Sequence, residues 1–316
     1  MSVDASASHH LGRRGVPTRN DDPFEIGCPE IPFDGDSTIG YTARLLWRGH
    51  LSIGRVVGGC LKVRIAILVL IHSLGIAGST PAQSDYLKEA ETKARNLLKK
   101  SIEAMGSEAY LKIQDVQRIG KFYEFSKDDL RGGAPFQSFD KFPWKQRFEM
   151  GKKAEIVNIN DGDDGWKIEY KVVKNQSSEE IILYKAGLKH SLDHILRERI
   201  NEPGMKFRYL GKSRLDLGEV ECVQLIDKDN DRVKIYLNAS NFLPAKMEFK
   251  SPGIGKRWPT DDERIFYNYH EVQNVQIPFS TVRLSNGYKA SEFHLAAVKL
   301  NQGLPDALFT PNYKQK

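Results

Sequence analysis

Two imidazoles four positions apart, His190 and His194, are the first place where residue type and spacing could do chemistry. On a helix that spacing puts both rings on one face, where they could hold zinc. The glutamate that follows the first histidine in the H-E-x-x-H pattern is replaced by Ser191, and further ligands would have to come from His270 or His294. A metal-dependent hydrolase is therefore the lesser reading beside a helix that simply carries two histidines.

Two acidic turns, Asp161–Gly165 and Asp227–Asp231, hold closely spaced carboxylates of the kind that ligate calcium. A calcium loop also needs glycine at its sixth position and glutamate at its twelfth. Counting from Asp227 gives Arg232 and Asn238, and counting from Asp161 gives Trp166 at the sixth. Both stretches read as solvated hairpin turns. No G-x-S-x-G elbow, phosphate loop or dinucleotide fingerprint is present. The expectation is a protein without a catalytic group, metal or cofactor. Cys222, inside the apolar run Val220–Ile226, reads as a small buried hydrophobe.

The elements that would position any site follow from periodicity. Leu87, Ala90, Ala94, Leu97, Leu98, Ile102 and Met105 recur every three or four residues, predicting an amphipathic helix stopped at Gly106. From Val116 the period becomes two. Strands are predicted over 116–125, 146–150, 155–160, 166–172, 180–184, 206–212, 219–227, 232–237, 246–250, 264–271, 279–284 and 289–300. Asn- and Gly-rich turns such as Ser285–Gly287 separate them. A second, short helix is expected from Leu188 to about Arg199, closed by the turn Asn201–Gly204.

So many hairpins predict an α+β fold dominated by one large antiparallel sheet. Twist accumulates across such a sheet until it must curl. The expected result is an incomplete barrel with the long N-terminal helix and the short internal helix on its concave face.

The segment from Lys62 to Ala82 has the order of an export signal. Lys62 and Arg64 supply the positive start, Ile65 to Ile76 an apolar core, and Thr80-Pro-Ala82 a small-residue cleavage site. A membrane span needs about 20 apolar residues, and this run is nearer a dozen. Cleavage near Ala82 divides the chain into a disordered or mis-started leader, 1–60, a signal peptide, 61–82, and one domain, 83–316. The mature part would carry no transmembrane span and would be periplasmic or secreted. The whole chain has 47 Lys+Arg against 41 Asp+Glu, and no basic block of the kind that neutralises a row of phosphates. Nucleic acid is not an expected partner.

Short motifs then resemble the lipoprotein-sorting (LolA/LolB-like) group of periplasmic proteins. They are Lys141–Phe148 (Lys-Phe-Pro-Trp-Lys-Gln-Arg-Phe), the hairpin Asn160–Trp166 with its D-G-x-x-x-W pattern, the strand-opening Leu243-Pro244 within Phe242–Lys246, and the ending Leu304–Thr310. The resemblance implies an incomplete barrel lidded by helices around a cavity that accepts acyl chains. It also brings a departure. In the dedicated carriers an arginine before the motif's proline is thought to latch the lid, and Phe142 stands at that position here.

The leading expectation is a carrier that holds an apolar ligand, either a lipoprotein acyl chain or another envelope lipid. Its cavity wall is expected to include Ile119, Tyr123, Phe142, Phe148, Trp166, Ile182, Leu225, Ile235, Phe249 and Tyr267. The alternative is an envelope sensor or interaction module with the same fold, which recognises another protein through a sheet edge or loop.

Overall fold

The computed structural model describes residues 81–312 except 217 and 254–257. The leader 1–60 and the signal segment up to Thr80 lie outside the described residues. Helix α1 (Pro81–Met105) and the short α2 (Glu108–Leu111) precede β1 (Asp115–Ser126), β2 (Asp129–Lys141), β3 (Lys145–Met150), β4 (Ile156–Asp161), β5 (Asp164–Glu169) and β6 (Val172–Asn175). Two helices follow, α3 (Ser178–Lys189) and α4 (Leu192–Arg197), with a 3-10 turn at Arg199–Asn201. The chain then runs through β7 (Lys206–Leu215), β8 (Gly218–Ile226), β9 (Arg232–Asn238), β10 (Pro244–Ser251), β11 (Thr260–Val272), β12 (Val275–Ser285) and β13 (Tyr288–Leu300).

All thirteen strands form one antiparallel sheet in the order β6-β5-β4-β3-β2-β1-β13-β12-β11-β10-β9-β8-β7. Its first and last strands in sequence, β1 and β13, pair in the middle, and its edges are β6 and β7. Those edges are consecutive in sequence. The segment joining them, 176–205, must therefore pass from one rim of the open sheet to the other, and it carries α3 and α4.

Helix α1 packs along β7 and β8. Ala94, Leu97, Leu98 and Met105 are buried in the main core with Val223, Leu225, Val233, Ile235, Leu237, Met247 and Phe249. The Arg95 guanidinium lies 4.0 Å from the Phe207 ring centroid and the Lys93 ammonium 3.7 Å from that of Tyr209. Gly106 ends the helix at φ +128°, where an added Cβ would stand 2.4 Å from the Asn274 carbonyl oxygen. Only glycine satisfies both the backbone angle and this close approach.

Three expectations need correction. The segment 180–184 is not a strand but part of α3. Ser177 and Glu180 form a reciprocal capping box, which satisfies helix-start N–H groups and nucleates the helix. The single internal helix expected over 188–199 is two helices, because Ser191 accepts a hydrogen bond from the His194 N–H and starts α4 afresh. Strand β2 is absent from the predicted strands, and it contains Gly132, Gly133 and Pro135, residues that weaken a strand signal. It pairs with β1 along its length, with one register shift between Glu124 and Phe125, across a hairpin in which Lys127 and Asp128 both take positive φ, as a type I′ turn demands.

The opposite face of β2–β5 is covered by the tail. Leu304, Leu308 and Phe309 pack on Phe139, Val157, Ile159 and Trp166. The Asp115 carboxylate fastens the tail's entry by accepting the N–H groups of Gln302, Gly303 and Leu304 at 2.7–3.1 Å. Beneath it the buried Arg147 pairs with Glu149 at 2.6 Å and donates to the Leu308 carbonyl.

Candidate functional site: a hollow beneath the α3–α4 connection

The core fills the β7–β10 half of the sheet, and α1 ends at the sheet's middle. Beyond Met105 the curled sheet continues without α1 to fill it, leaving a cavity of about 540 Å3. Phe136, Phe142, Phe148, Phe266, Ile277, Phe293 and Leu295 make its apolar wall, and α3 and α4 roof it with Leu183, Tyr184, Leu188 and Leu192. The wall is continuous across the central seam because the β1–β13 register shifts between Ile119 and Gly120. A Cβ at Gly120 would meet the His294 carbonyl oxygen at 2.1 Å, so the bulge requires glycine there. Rings interlock along this wall: Phe136 stacks on Phe148 at 5.3 Å and meets Phe293 edge-on at 5.5 Å.

The roof is tied down by polar contacts. Arg118 of β1 reaches Asp140 at 2.6 Å and Asp193 of α4 at 3.1 Å. The Tyr110 hydroxyl donates to the other oxygen of Asp193 at 3.1 Å. Arg197 lies over the Phe142 ring at 4.1 Å and also donates to the Ile113 carbonyl. Phe142 lies in the turn between β2 and β3, and the guanidinium over its ring comes from the last residue of α4. The Tyr184 hydroxyl donates to the Trp144 carbonyl at 3.0 Å. Burial pushes the Tyr184 phenol well above its ordinary pKa, aided by the Asp140 and Asp161 carboxylates.

A second anchor grips the junction of α3 and α4. Asp227 and Asp231, expected in a solvated turn, receive Lys189 at 2.8 and 2.9 Å, and the buried Arg199 reaches Asp227 at 3.0 Å. His190 Nε2 lies 2.9 Å from Asp231, and its ring stacks on Phe249 at 4.4 Å. Burial alone would raise the Asp231 pKa, but the hydrogen bonds from His190 and Lys189 outweigh it and hold the group well below the usual range. The same balance lowers Asp227, with Lys189 its main partner. Arg264 closes the grip by donating to the carbonyls of His190 and Gly187 at 2.7 and 3.3 Å, which satisfies the C-terminal end of α3.

The two histidines are therefore not a pair on one face. His190 ends α3 and binds Asp231, whereas His194 sits within α4 against Trp144, where burial lowers its pKa. Among the described residues no group of three or more His, Cys, Asp or Glu could hold a metal ion.

Of the ten predicted wall residues, Phe142 and Phe148 line the hollow. Leu225, Ile235 and Phe249 lie in the filled core under α1. Trp166 packs beneath the tail on the other face. Tyr267 also faces away, donating to Glu292 at 3.0 Å, and Tyr123 meets His294 edge-on at 5.9 Å. Ile119 is on the exposed side of β1, and Ile182 on the outer side of α3. Sequence reading missed Arg118, Phe136, Asp140, Asp193, Arg264, Arg283, Phe293 and Leu295. The alternation over 289–300 held the only signal for Phe293, and the bulge at the seam disrupts it.

An open antiparallel half-barrel whose edge-to-edge connection roofs an apolar hollow is the class that this architecture defines. No protein-family model and no curated protein matches the sequence. Similar solved structures include an outer membrane lipoprotein-sorting protein domain from Vibrio parahaemolyticus (15% identity, TM-score 0.47) and a LolA superfamily protein from Nitrosomonas europaea (17%, 0.46). A DUF1329 family protein from Desulfovibrio piger is a third (11%, 0.47). Each match spans 69% of this chain and 97–98% of the other. Among the described residues no helix is long and apolar enough to cross a membrane.

Proposed function

We propose that the chain is an envelope binding or carrier protein, exported by cleavage near Ala82, that holds an apolar ligand such as a lipid or lipoprotein acyl chain. The observation that supports this reading is the hollow: about 540 Å3, walled by aromatic and aliphatic side chains and roofed by a polar-latched connection. Its volume falls in the range of small-molecule sites, roughly 300–1,000 Å3. Transfer of each methylene from water into such a wall is worth about 0.8 kcal/mol. Holding a ligand in this way calls for no bond making or breaking.

Gentle-ionisation mass spectrometry of protein purified from an envelope fraction tests the reading, together with displacement of a fluorescent fatty acid. The expected result is co-purified lipid and saturable probe binding. Protein that emerges empty and fails to take up the probe would reject carriage. A protein-interaction role is the second reading, favoured by edge strand β6, where Val172 and Val173 are 57% and 47% exposed beside the exposed Tyr170.

A further inference from the structure

Within the apolar wall two arginines stand directly opposite each other. Arg264 of β11 and Arg283 of β12 are cross-strand partners in register, and both line the hollow. Like charges in that position repel, and a sheet gains nothing from the pairing itself. No carboxylate among the described residues forms an ion pair with either. The acid on the same face two residues before Arg264 is Asp262, which attracts both guanidiniums without touching either, while its oxygens accept from the hydroxyls of Ser251 at 2.6 Å and Ser285 at 2.9 Å.

The two guanidiniums differ in what they do. Arg264 lies over the Phe249 ring and spends its terminal nitrogens on the α3 carbonyls, while its buried Nε has no partner. Desolvation, with repulsion from Arg283 second, pulls its pKa down to about 9. Arg283 makes no hydrogen bond or ion pair with any described residue. Its side chain is exposed to solvent where it lines the hollow.

The neighbouring wall is apolar. Thr281 and Phe266 are the next residues of the same face on β12 and β11, and Thr281 pairs with Phe293 of β13. A guanidinium with no hydrogen-bond or ion-pair partner among the described residues therefore sits at one end of an aromatic trough. We propose that Arg283 is the headgroup subsite of the hollow, binding the carboxylate or phosphate of an anionic amphiphile whose chain lies along Phe266, Phe293, Phe136 and Phe148. Arg264 adds positive potential from behind. A guanidinium suits this task because its planar donors match carboxylate and phosphate oxygens in pairs. The inference rests on the lipid-holding reading and adds the charge of the ligand to it.

The test compares a fatty acid, the fatty alcohol of equal chain length and inorganic phosphate as ligands of the intact mature protein by titration calorimetry. Arg283→Gln is the variant, and Arg214→Gln, remote on β7, is the control. The acid is expected to bind wild type at least about tenfold more tightly than the alcohol, as one charge-assisted hydrogen bond provides. In Arg283→Gln that preference is expected to vanish while alcohol affinity is retained, and circular dichroism should show an unchanged fold.

Equal affinity of acid and alcohol for wild type would overturn the headgroup assignment and leave the apolar hollow standing. Binding of neither would overturn both. Phosphate alone binding as tightly as the acid, with the same dependence on Arg283, would assign the subsite to a free anion and reject the amphiphile.

Discussion

Arg118 on β1 and Asp193 on α4, 75 residues apart in sequence, meet at 3.1 Å across the roof of the hollow. The guanidinium also holds Asp140 at 2.6 Å, and Asp193 also accepts from Tyr110, so four residues from four elements share one knot. This knot joins the sheet's central seam to the connection that bridges its edges. The Arg197–Phe142 contact lies on the same roof. Lid fastening is thus spread over several contacts.

Asp193→Asn is expected to loosen α4 without unfolding the sheet. Loss of a partly buried charged hydrogen bond costs about 1.5–3 kcal/mol. Amide exchange should quicken over 178–201 and stay unchanged in β8–β10. A double-mutant cycle with Arg118→Ala should return a coupling near 1 kcal/mol, and additive effects would dissolve the proposed latch.

The Asp227–Asp231 anchor gives stability a pH dependence of definite sign. Both carboxyl groups have folded-state pKa values below their unfolded ones near 3.9. A depressed carboxylate stabilises the fold above its unfolded pKa, and that contribution disappears as pH falls below about 4 toward the folded values. Urea midpoints measured from pH 7 to pH 2 should fall for wild type. Asp231→Asn should be less stable at pH 7 and converge on wild type at the acid end. A constant gap would refute the assignment.

Wall and core should separate by substitution. Ile235→Ala, in the filled core, is expected to cost about 2–5 kcal/mol with no change in probe affinity once the protein is folded. Phe148→Ala, at the hollow, should weaken probe binding severalfold at a smaller cost in stability, because one side of that ring already faces open space. Calorimetric melting paired with probe titration reads both effects.

Glycine offers an internal control. Gly106→Ala places a Cβ 2.4 Å from the Asn274 oxygen at φ +128°, and is expected to destabilise by more than about 1 kcal/mol. Gly132→Ala, with nothing within 4 Å of the new atom, should be close to neutral. Equal losses at the two sites would contradict the strain argument.

Much of the framework was legible in residue order. The three- and four-residue spacing from Leu87 to Met105 specifies α1, because a helix buries one stripe and Gly106 stops it. Period-two runs specify most strands, and Asn286-Gly287, both at positive φ, specifies the last hairpin. Other signals were present and outvoted: Ser177 with Glu180 marks a helix start, yet Ile181 and Ile182 read as strand.

The site itself was hidden for a physical reason. Alternation states that Phe148 and Arg147 face opposite ways, but not which way is inward. That depends on register carried through thirteen strands and on a bulge at Gly120. Whether an inward residue meets packing or a hollow depends on where α1 ends: Ile235 is covered by it and Phe148 is not. The latch of Arg118 with Asp193 and the opposed pair Arg264–Arg283 arise only when distant strands close up. Local sequence thus determined the elements and their turns. Tertiary structure decided the inner face, the empty space and the charges left facing it, since these are properties of contacts between segments.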